Sequence, residues 1–158
     1  PAIAKYHGNL GTVLVALRRY DEAVAHLEQA LSLDPALAEI QNSLGAVRRD
    51  TGRMDEAMAA FREAIQLDPG YAQAHANLAV VLLAQGNRSE ALSAARTAVA
   101  ADPNDLEARN ILAASLAESG FREDAEKELR YALELAPGDP EILRNLDVLA
   151  EISDASDS

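Results

Sequence analysis

Residues 35–69 read PALAEIQNSLGAVRRDTGRMDEAMAAFREAIQLDP and contain one complete copy of a motif that the chain repeats. The prolines that bound this stretch belong to a series in which each proline lies 34 residues after the last. The series consists of Pro35, Pro69, Pro103 and Pro137. A fixed period of this length indicates a solenoid of helix pairs, in which each unit packs only against its neighbours. The chain of 158 residues therefore holds about four and a half units around one shared core.

Three positions of the repeat hold a small residue in all four units. They are Ala23, Ala57, Ala91 and Ala125 at the first position, Ala30, Ala64, Ala98 and Ala132 at the second, and Gly11, Gly45, Ala79 and Ala113 at the third. Only a small side chain fits where two helix axes approach to about 8 to 10 Å. These positions therefore predict close helix crossings within the core.

Each unit contains two amphipathic stretches separated by a short turn. In the second unit the pattern predicts helices over 38–50 and 55–67, with the turn at 51–53. The turn position that favours a positive φ is occupied by Arg18, Gly52, Gly86 and Gly120. The residues that we expect to cap the following helices are Asp21, Asp55 and Ser89.

The pattern predicts an all-α solenoid of four antiparallel helix pairs, a capping helix and a tail. The predicted boundaries are 4–37, 38–71, 72–105 and 106–139 for the pairs, 140–152 for the capping helix and 153–158 for a disordered acidic tail. We expect Asp139 to cap the last helix and Pro140 to be its first residue. Asp147 falls at the third small-residue position, where a buried carboxylate would be costly, so no further helix is expected to pack there.

The composition limits the partners. Lys and Arg number 14 against 26 Asp and Glu, which gives a formal net charge of −12. Nucleic acids and anionic membranes attract clusters of cations, so we expect neither as a partner. No apolar run approaches a membrane span, and residues 1–9 lack a signal-peptide pattern, so we favour a cytoplasmic location. The absence of cysteine excludes disulfides, thiolate zinc sites and a cysteine nucleophile.

The repeat resembles one known family over most of the chain. The 34-residue period, the small-residue positions, and the motifs Met54-Asp55-Glu56-Ala57 and Leu67-Asp68-Pro69 are similar to those of tetratricopeptide repeats. The resemblance covers about residues 7–145. It implies a right-handed superhelix whose first helices line a concave groove, and a role in protein assembly. The alternative that it leaves open is a substrate- or partner-recruiting arm of a larger multidomain enzyme.

Polar residues recur on the groove side of the first helices. One position holds Asn9, Ser43, Asn77, Ile111 and Asn145, and the adjacent position adds Asn42 and Asn110. An amide donates and accepts together, so a row of amides can hold the backbone of an extended peptide. With Arg49, the polar residues of this row form the predicted partner-binding site. The alternative is that the amides bond neighbouring helices.

The sequence offers no catalytic or cofactor site, so we predict a non-catalytic interaction scaffold that binds an extended peptide or a partner helix. His7 and His75 share a position two units apart, which predicts a separation of roughly 20 Å. His26 has no evident ligand partner, and neither a phosphate-binding loop nor a serine elbow is present. The charged residues assigned to the groove are mildly acidic, which favours a neutral or basic partner.

The two ends of the solenoid differ in how far terminal residues cover their apolar edges. Residues 1–6 cover little of the first unit, whereas the C-terminal end carries a polar cap. We therefore expect a monomer at low concentration, with weak N-terminal end-to-end contacts when the protein is concentrated.

Overall fold

A computed structural model describes the backbone of residues 2–156 and the side chains of residues 2–151. This part of the chain is all-α, as predicted, and contains no strand. Its helices are α1 (Ala2–Ala16), α2 (Tyr20–Leu33), α3 (Ala38–Asp50), α4 (Met54–Leu67), α5 (Ala72–Ala84), α6 (Arg88–Ala101), α7 (Leu106–Glu118), α8 (Arg122–Leu135) and α9 (Pro140–Ser156). Loops of three or four residues join them, so consecutive helices pack side by side and antiparallel. None of the described helices combines the length and the apolar character that crossing a bilayer requires.

The turn inside each helix pair depends on a residue with positive φ. Gly52, Gly86 and Gly120 adopt φ values of 79°, 76° and 84°, as predicted. Beyond the adjoining residues, no atom lies within 4 Å of the place where a Cβ would stand at these glycines, so backbone conformation rather than space favours glycine here. Arg18 adopts a φ of 57° at the equivalent position of the first unit. The first turn therefore carries a strained residue where the others carry glycine.

The caps of the second helices differ from the prediction. Asp21, Asp55 and Ser89 each lie one residue inside the helix, so the prediction that they are N-caps is wrong. The turn closes earlier than expected, because the N–H of Arg53 donates to the carbonyl of Arg48 at 2.8 Å. The acidic side chains lie instead in the first turn, where they favour the positive end of the helix dipole.

Aspartate caps occur instead at two of the later first helices. Asp139 accepts hydrogen bonds from the N–H groups of Glu141 and Ile142 at 2.9 and 3.1 Å, and Pro140 begins the helix, as predicted. Asp105 caps α7 in the same way. Both caps fix the direction in which a first helix leaves the preceding loop.

The small residues lie at the helix crossings. All eight alanines of the first two positions are completely buried. A Cβ added to Gly11 would stand 2.7 Å from the side chain of Leu27, and one added to Gly45 would stand 2.6 Å from the ring of Phe61. Such distances leave no room for a side chain. The close crossings predicted from the repeat are therefore confirmed.

The last helix is longer than predicted. α9 continues through Ser156, so the prediction that it ends at 152 and that a disordered tail begins at 153 is wrong. No glycine or proline follows Pro140 to end the helix. Residues 157–158 of the predicted tail lie outside the described residues. Asp147 is exposed, and no helix follows α9 in the described chain.

Candidate functional site

The first helices of the units form one continuous face. α1, α3, α5 and α7 contact each other in series, whereas no comparable series of contacts joins the described second helices α2, α4, α6 and α8. The side on which the first helices approach each other is the inner side of the superhelix. The predicted polar row lies on these first helices and on α9.

Asparagines on this face meet in pairs whose members lie 35 residues apart. The amide nitrogen of Asn77 donates to Oδ1 of Asn42 at 3.0 Å. The amide nitrogen of Asn145 donates to Oδ1 of Asn110 at 3.4 Å. Each pair joins the first helix of one unit to the first helix of the next.

The isoleucine that interrupts the row has a matching partner. Ile111 packs against the apolar cluster that contains Ala76, and Ala76 stands at the repeat position held by Asn42 and Asn110 in their units. From the second unit to α9, each step along the inner face is therefore either amide to amide or apolar to apolar. Where Ile111 replaces an asparagine, its partner position also holds an apolar residue, Ala76, so both members of this pair differ from the amide pairs.

The pair formed by Asn42 and Asn77, here called the closed pair, is sealed on both sides. Nη1 of Arg49 donates to Oδ1 of Asn77 at 2.8 Å, and the amide nitrogen of Asn42 donates to the hydroxyl of Tyr71 at 3.5 Å. Both asparagines are buried. The amides of the closed pair are therefore engaged within the protein, where they bond neighbouring helices.

The closed pair belongs to a longer series of bonds. Nε of Arg49 donates to Oδ1 of Asp50 at 3.0 Å, and the hydroxyl of Tyr20 donates to Oδ2 of the same carboxylate at 3.3 Å. The series therefore runs from α2 through α3 to α5. It ties the first three units together by side chains.

Tyr71 at the end of this series remains protonated at neutral pH. Burial raises the pKa of the Tyr71 phenol, and the nearby carboxylates of Glu39 and Asp68 raise it further. The bond with Asn42 acts in the opposite direction but does not offset burial. A neutral phenol closes this side of the pair without adding charge to the buried site.

The pair formed by Asn110 and Asn145, here called the open pair, lacks both seals. The positions equivalent to those of the two sealing residues hold Ala117 and Asp139. Ala117 has no polar group, and the Asp139 carboxylate caps α9. Hollows of about 280 Å³, beside Ala117, and about 660 Å³, beside Asp139, lie at the open pair, and both asparagines line both hollows.

The two hollows combine apolar walls with acidic edges. Their apolar lining includes Val80, Leu83, Ile111, Ala113, Ala114 and Val148. Their carboxylates are those of Glu107, Glu118, Asp139 and Glu141, and Arg122 also lines the smaller hollow. An extended chain that places an apolar side chain between these walls would meet both amides and negative charge at the rim.

The remaining residues of the predicted site lie apart from both pairs. Asn9 is exposed on α1. The hydroxyl of Ser43 donates to the carbonyl of Glu39 at 2.9 Å and lies 3.4 Å from Oγ1 of Thr12. The seven predicted residues therefore form two separate pairs, one of them bonded by Arg49, and two members outside the pairs, rather than one row.

Sequence reasoning included Arg49 in the predicted site but missed Tyr71, and it assigned to neither residue the role of covering an amide pair. Tyr71 lies 29 residues after Asn42, and Arg49 lies 28 residues before Asn77. The same spacings, counted from Asn110 and Asn145, lead to Asp139 and Ala117. A comparison of the units at these positions would therefore have revealed the difference between the two pairs.

The histidines are arranged differently from the prediction. Nδ1 of His7 lies 2.9 Å from Nδ1 of His26, and the two rings are stacked, a contact that the sequence analysis did not predict. The tight crossing at Gly11 brings α1 and α2 close enough for this contact. His75 bonds the carbonyl of Pro69 at 3.0 Å through Nε2. Among the described residues no group of three or more potential ligands could hold a metal ion.

Helix pairs stacked into a superhelix, with amide pairs and hollows on the inner face, define a helical-repeat protein. Two family models described as tetratricopeptide repeat match residues 9–72 and 48–115. The chain belongs to the tetratricopeptide repeat family. Proteins of this family are generally non-catalytic interaction scaffolds. None of the curated proteins compared with the chain matches it.

Solved structures share the fold over nearly the whole chain. YrrB, described as a TPR protein with an unusual peptide-binding site, has a TM-score of 0.77 at 24% identity, covering 94% of this chain and 76% of its own. MamA from Desulfovibrio magneticus RS-1 has a TM-score of 0.84 at 21% identity, covering 98% of this chain and 87% of its own. At these identities the likeness establishes the superhelical fold.

Proposed function

We propose that this protein is a non-catalytic scaffold that binds an extended segment of another protein in its concave groove, at the open pair. The observation that carries the proposal is the difference between two equivalent amide pairs. Tyr71 and Arg49 seal the closed pair, whereas the open pair faces two hollows. Burying a polar group without a hydrogen-bond partner costs about 1 to 3 kcal/mol of free energy. A ligand that covers these amides must therefore also form hydrogen bonds with them.

The chemistry of the open pair favours a peptide backbone. An asparagine side chain offers both a donor and an acceptor, and so does each peptide group of an extended chain. A helical partner has already used its backbone groups within the helix, so it gains less from the amides. An extended segment is therefore the preferred partner over a helix.

The walls and edges of the hollows specify the side chains of the partner. Alanines and branched apolar residues line them, which suits an apolar anchor. Four carboxylates stand at the edges, which favours neutral or basic residues on either side of the anchor. We propose that binding needs no cofactor and that the protein is mainly a monomer at low concentration.

The substitution Ala117→Arg tests the proposal, because it copies the residue that seals the closed pair. Peptides would be selected from a displayed library of random sequences against the unmodified protein, and their affinities would be measured by calorimetric titration. We expect Ala117→Arg to weaken binding at least about tenfold.

The matched control is Ala100→Arg, which adds the same charge at an exposed position of α6. It should leave affinity unchanged. Equal affinity of the selected peptides for the unmodified protein and the Ala117→Arg variant would contradict binding at the open pair.

A further inference from the structure

The two histidines of the first helix pair form a contact that the proposed function does not use. Nδ1 of His7 on α1 lies 2.9 Å from Nδ1 of His26 on α2, and the ring centroids lie 5.1 Å apart. Both residues are half-buried, so solvent still reaches the contact. Imidazole nitrogens are common ligands of divalent transition-metal ions. The pair therefore brings together two side chains that can bind such an ion.

The fold does not require two histidines at these positions. The equivalent residues are Gln41 and Ala60 in the second unit, His75 and Ala94 in the third, and Arg109 and Glu128 in the fourth. The fourth unit joins its two helices here by an ion pair, and His75 bonds the carbonyl of Pro69 instead of a residue on α6. The same crossing therefore forms with an amide, an imidazole or a guanidinium on the first helix. Among the four units, the first alone places two imidazoles against each other.

The separation of the two nitrogens suits a single ion. Two nitrogens bound to one ion at about 2.0 Å lie about 2.8 Å apart when they subtend a right angle, and about 3.3 Å apart when they subtend a tetrahedral angle. The separation of 2.9 Å is closer to the right angle, which neighbouring ligands subtend in square-planar and tetragonal complexes of Cu²⁺ and Ni²⁺. Of the divalent ions in this row, Cu²⁺ binds nitrogen ligands most tightly.

Binding an ion needs only local changes in the two rings. In the contact, one Nδ1 donates its hydrogen to the other Nδ1. This hydrogen moves through solvent to Nε2 of its own ring, so both imidazoles stay neutral and each Nδ1 presents a lone pair. Because the two nitrogens face each other, each ring must also turn about its Cβ–Cγ bond to direct its lone pair at the ion. This torsion has broad energy wells, so the rotation costs little free energy.

We infer that His7 and His26 together bind one divalent transition-metal ion, Cu²⁺ most tightly, with water at its other coordination positions. Glu22, one turn before His26, is held by Arg19 through two hydrogen bonds of 2.7 Å, and the described part of the chain contains no cluster of three ligands. Structural sites that hold zinc permanently use four protein ligands, so an ion on this pair is bound reversibly. It joins α1 to α2, the two helices whose turn contains the strained Arg18. The site uses neither amide pair and is therefore independent of the proposed function.

Calorimetric titration of the full chain with Cu²⁺, in a buffer that does not bind the ion, tests the site. Electron paramagnetic resonance of the complex should show coupling to two nitrogen nuclei. His26→Gln removes one ligand and should weaken Cu²⁺ binding at least about tenfold, and His7→Gln should do the same. His75→Gln is the matched control, because His75 occupies the position of His7 in the third unit, opposite an alanine. It should bind Cu²⁺ as the unmodified protein does.

Thermal unfolding provides a second measurement of the same contact. An ion that binds the folded chain more tightly than the unfolded chain stabilises it, so saturating Cu²⁺ should raise the midpoint of the unmodified protein and of His75→Gln more than that of His26→Gln. Circular dichroism without metal checks that each variant is folded. Failure of the unmodified protein to bind Cu²⁺, undiminished binding by both His7→Gln and His26→Gln, or an equal loss of binding in His75→Gln would each overturn the inference.

Discussion

Asn77 and Asn145 occupy the same position of the repeat, yet their surroundings give them different roles. Asn77 bonds both Arg49 and Asn42 and is buried. Asn145 makes one bond of 3.4 Å and lines two hollows. The same side chain is therefore bonded to two neighbours in one unit and borders open hollows in another. What differs is the residue 28 positions earlier, which is Arg49 in one case and Ala117 in the other.

The first prediction concerns the stability contributed by Asn77. Asn77→Ala should lower the free energy of unfolding by about 1 to 3 kcal/mol, because it removes the partner of the half-buried Nη1 of Arg49 and of the buried Oδ1 of Asn42. Urea denaturation measures the change. Asn145→Ala is the matched control and should cost less than about 0.5 kcal/mol, as is usual for substitutions outside buried networks. Equal losses in the two variants would show that the open pair supports the fold as strongly as the closed pair.

The second prediction concerns the paired histidines. The contact between His7 and His26 needs one Nδ1 that donates and one that accepts, so two charged imidazoles cannot form it. His26→Gln removes the ring that Nδ1 of His7 contacts, so this substitution should lower the free energy of unfolding by about 0.5 to 1.5 kcal/mol, the net contribution of a typical hydrogen bond.

Urea denaturation of the unmodified protein and of His26→Gln measures the change. An unchanged free energy of unfolding in His26→Gln would contradict a stabilising contact between the two rings.

At the scale of the element, the four helix pairs differ most in their turns. Three turns use glycine at a positive φ, and the first uses Arg18 at 57°. A side chain in this conformation strains the backbone, because its Cβ approaches the carbonyl oxygen. The first pair is therefore joined by a less favourable turn than the other three.

The third prediction follows from this difference. Arg18→Gly should raise the free energy of unfolding by about 1 kcal/mol, since it relieves the left-handed strain and the Arg18 side chain is exposed. Gly52→Ala, at the same position of the second turn, should lower it by a similar amount. Thermal and urea unfolding of both variants provide the measurement. A loss of stability in Arg18→Gly would mean that its side chain contributes contacts that outweigh the strain.

At the scale of the whole molecule, the sequence predicted the architecture better than the site. The 34-residue period and the buried alanines determine where helices cross, so the helix pairs followed from the printed residues. The helix caps could not be predicted from the sequence, because the turn before Met54 is closed by backbone bonds that side-chain preferences do not reveal. The contacts of the amide row could not be predicted either, because the bonds of Asn77 run to Arg49 and Asn42 on the neighbouring first helix.

The series of bonds from Tyr20 to Tyr71 also makes the molecule mechanically uneven along its length. Three units are held together by charged and amide side chains, while one long bond between Asn110 and Asn145 joins the inner side of α7 to α9. If the protein were stretched from its two ends, we expect α7 and α9 to separate before the first three units do. A segment bound in the hollows of the open pair would contact both α7 and α9, so binding would raise the force needed to separate them.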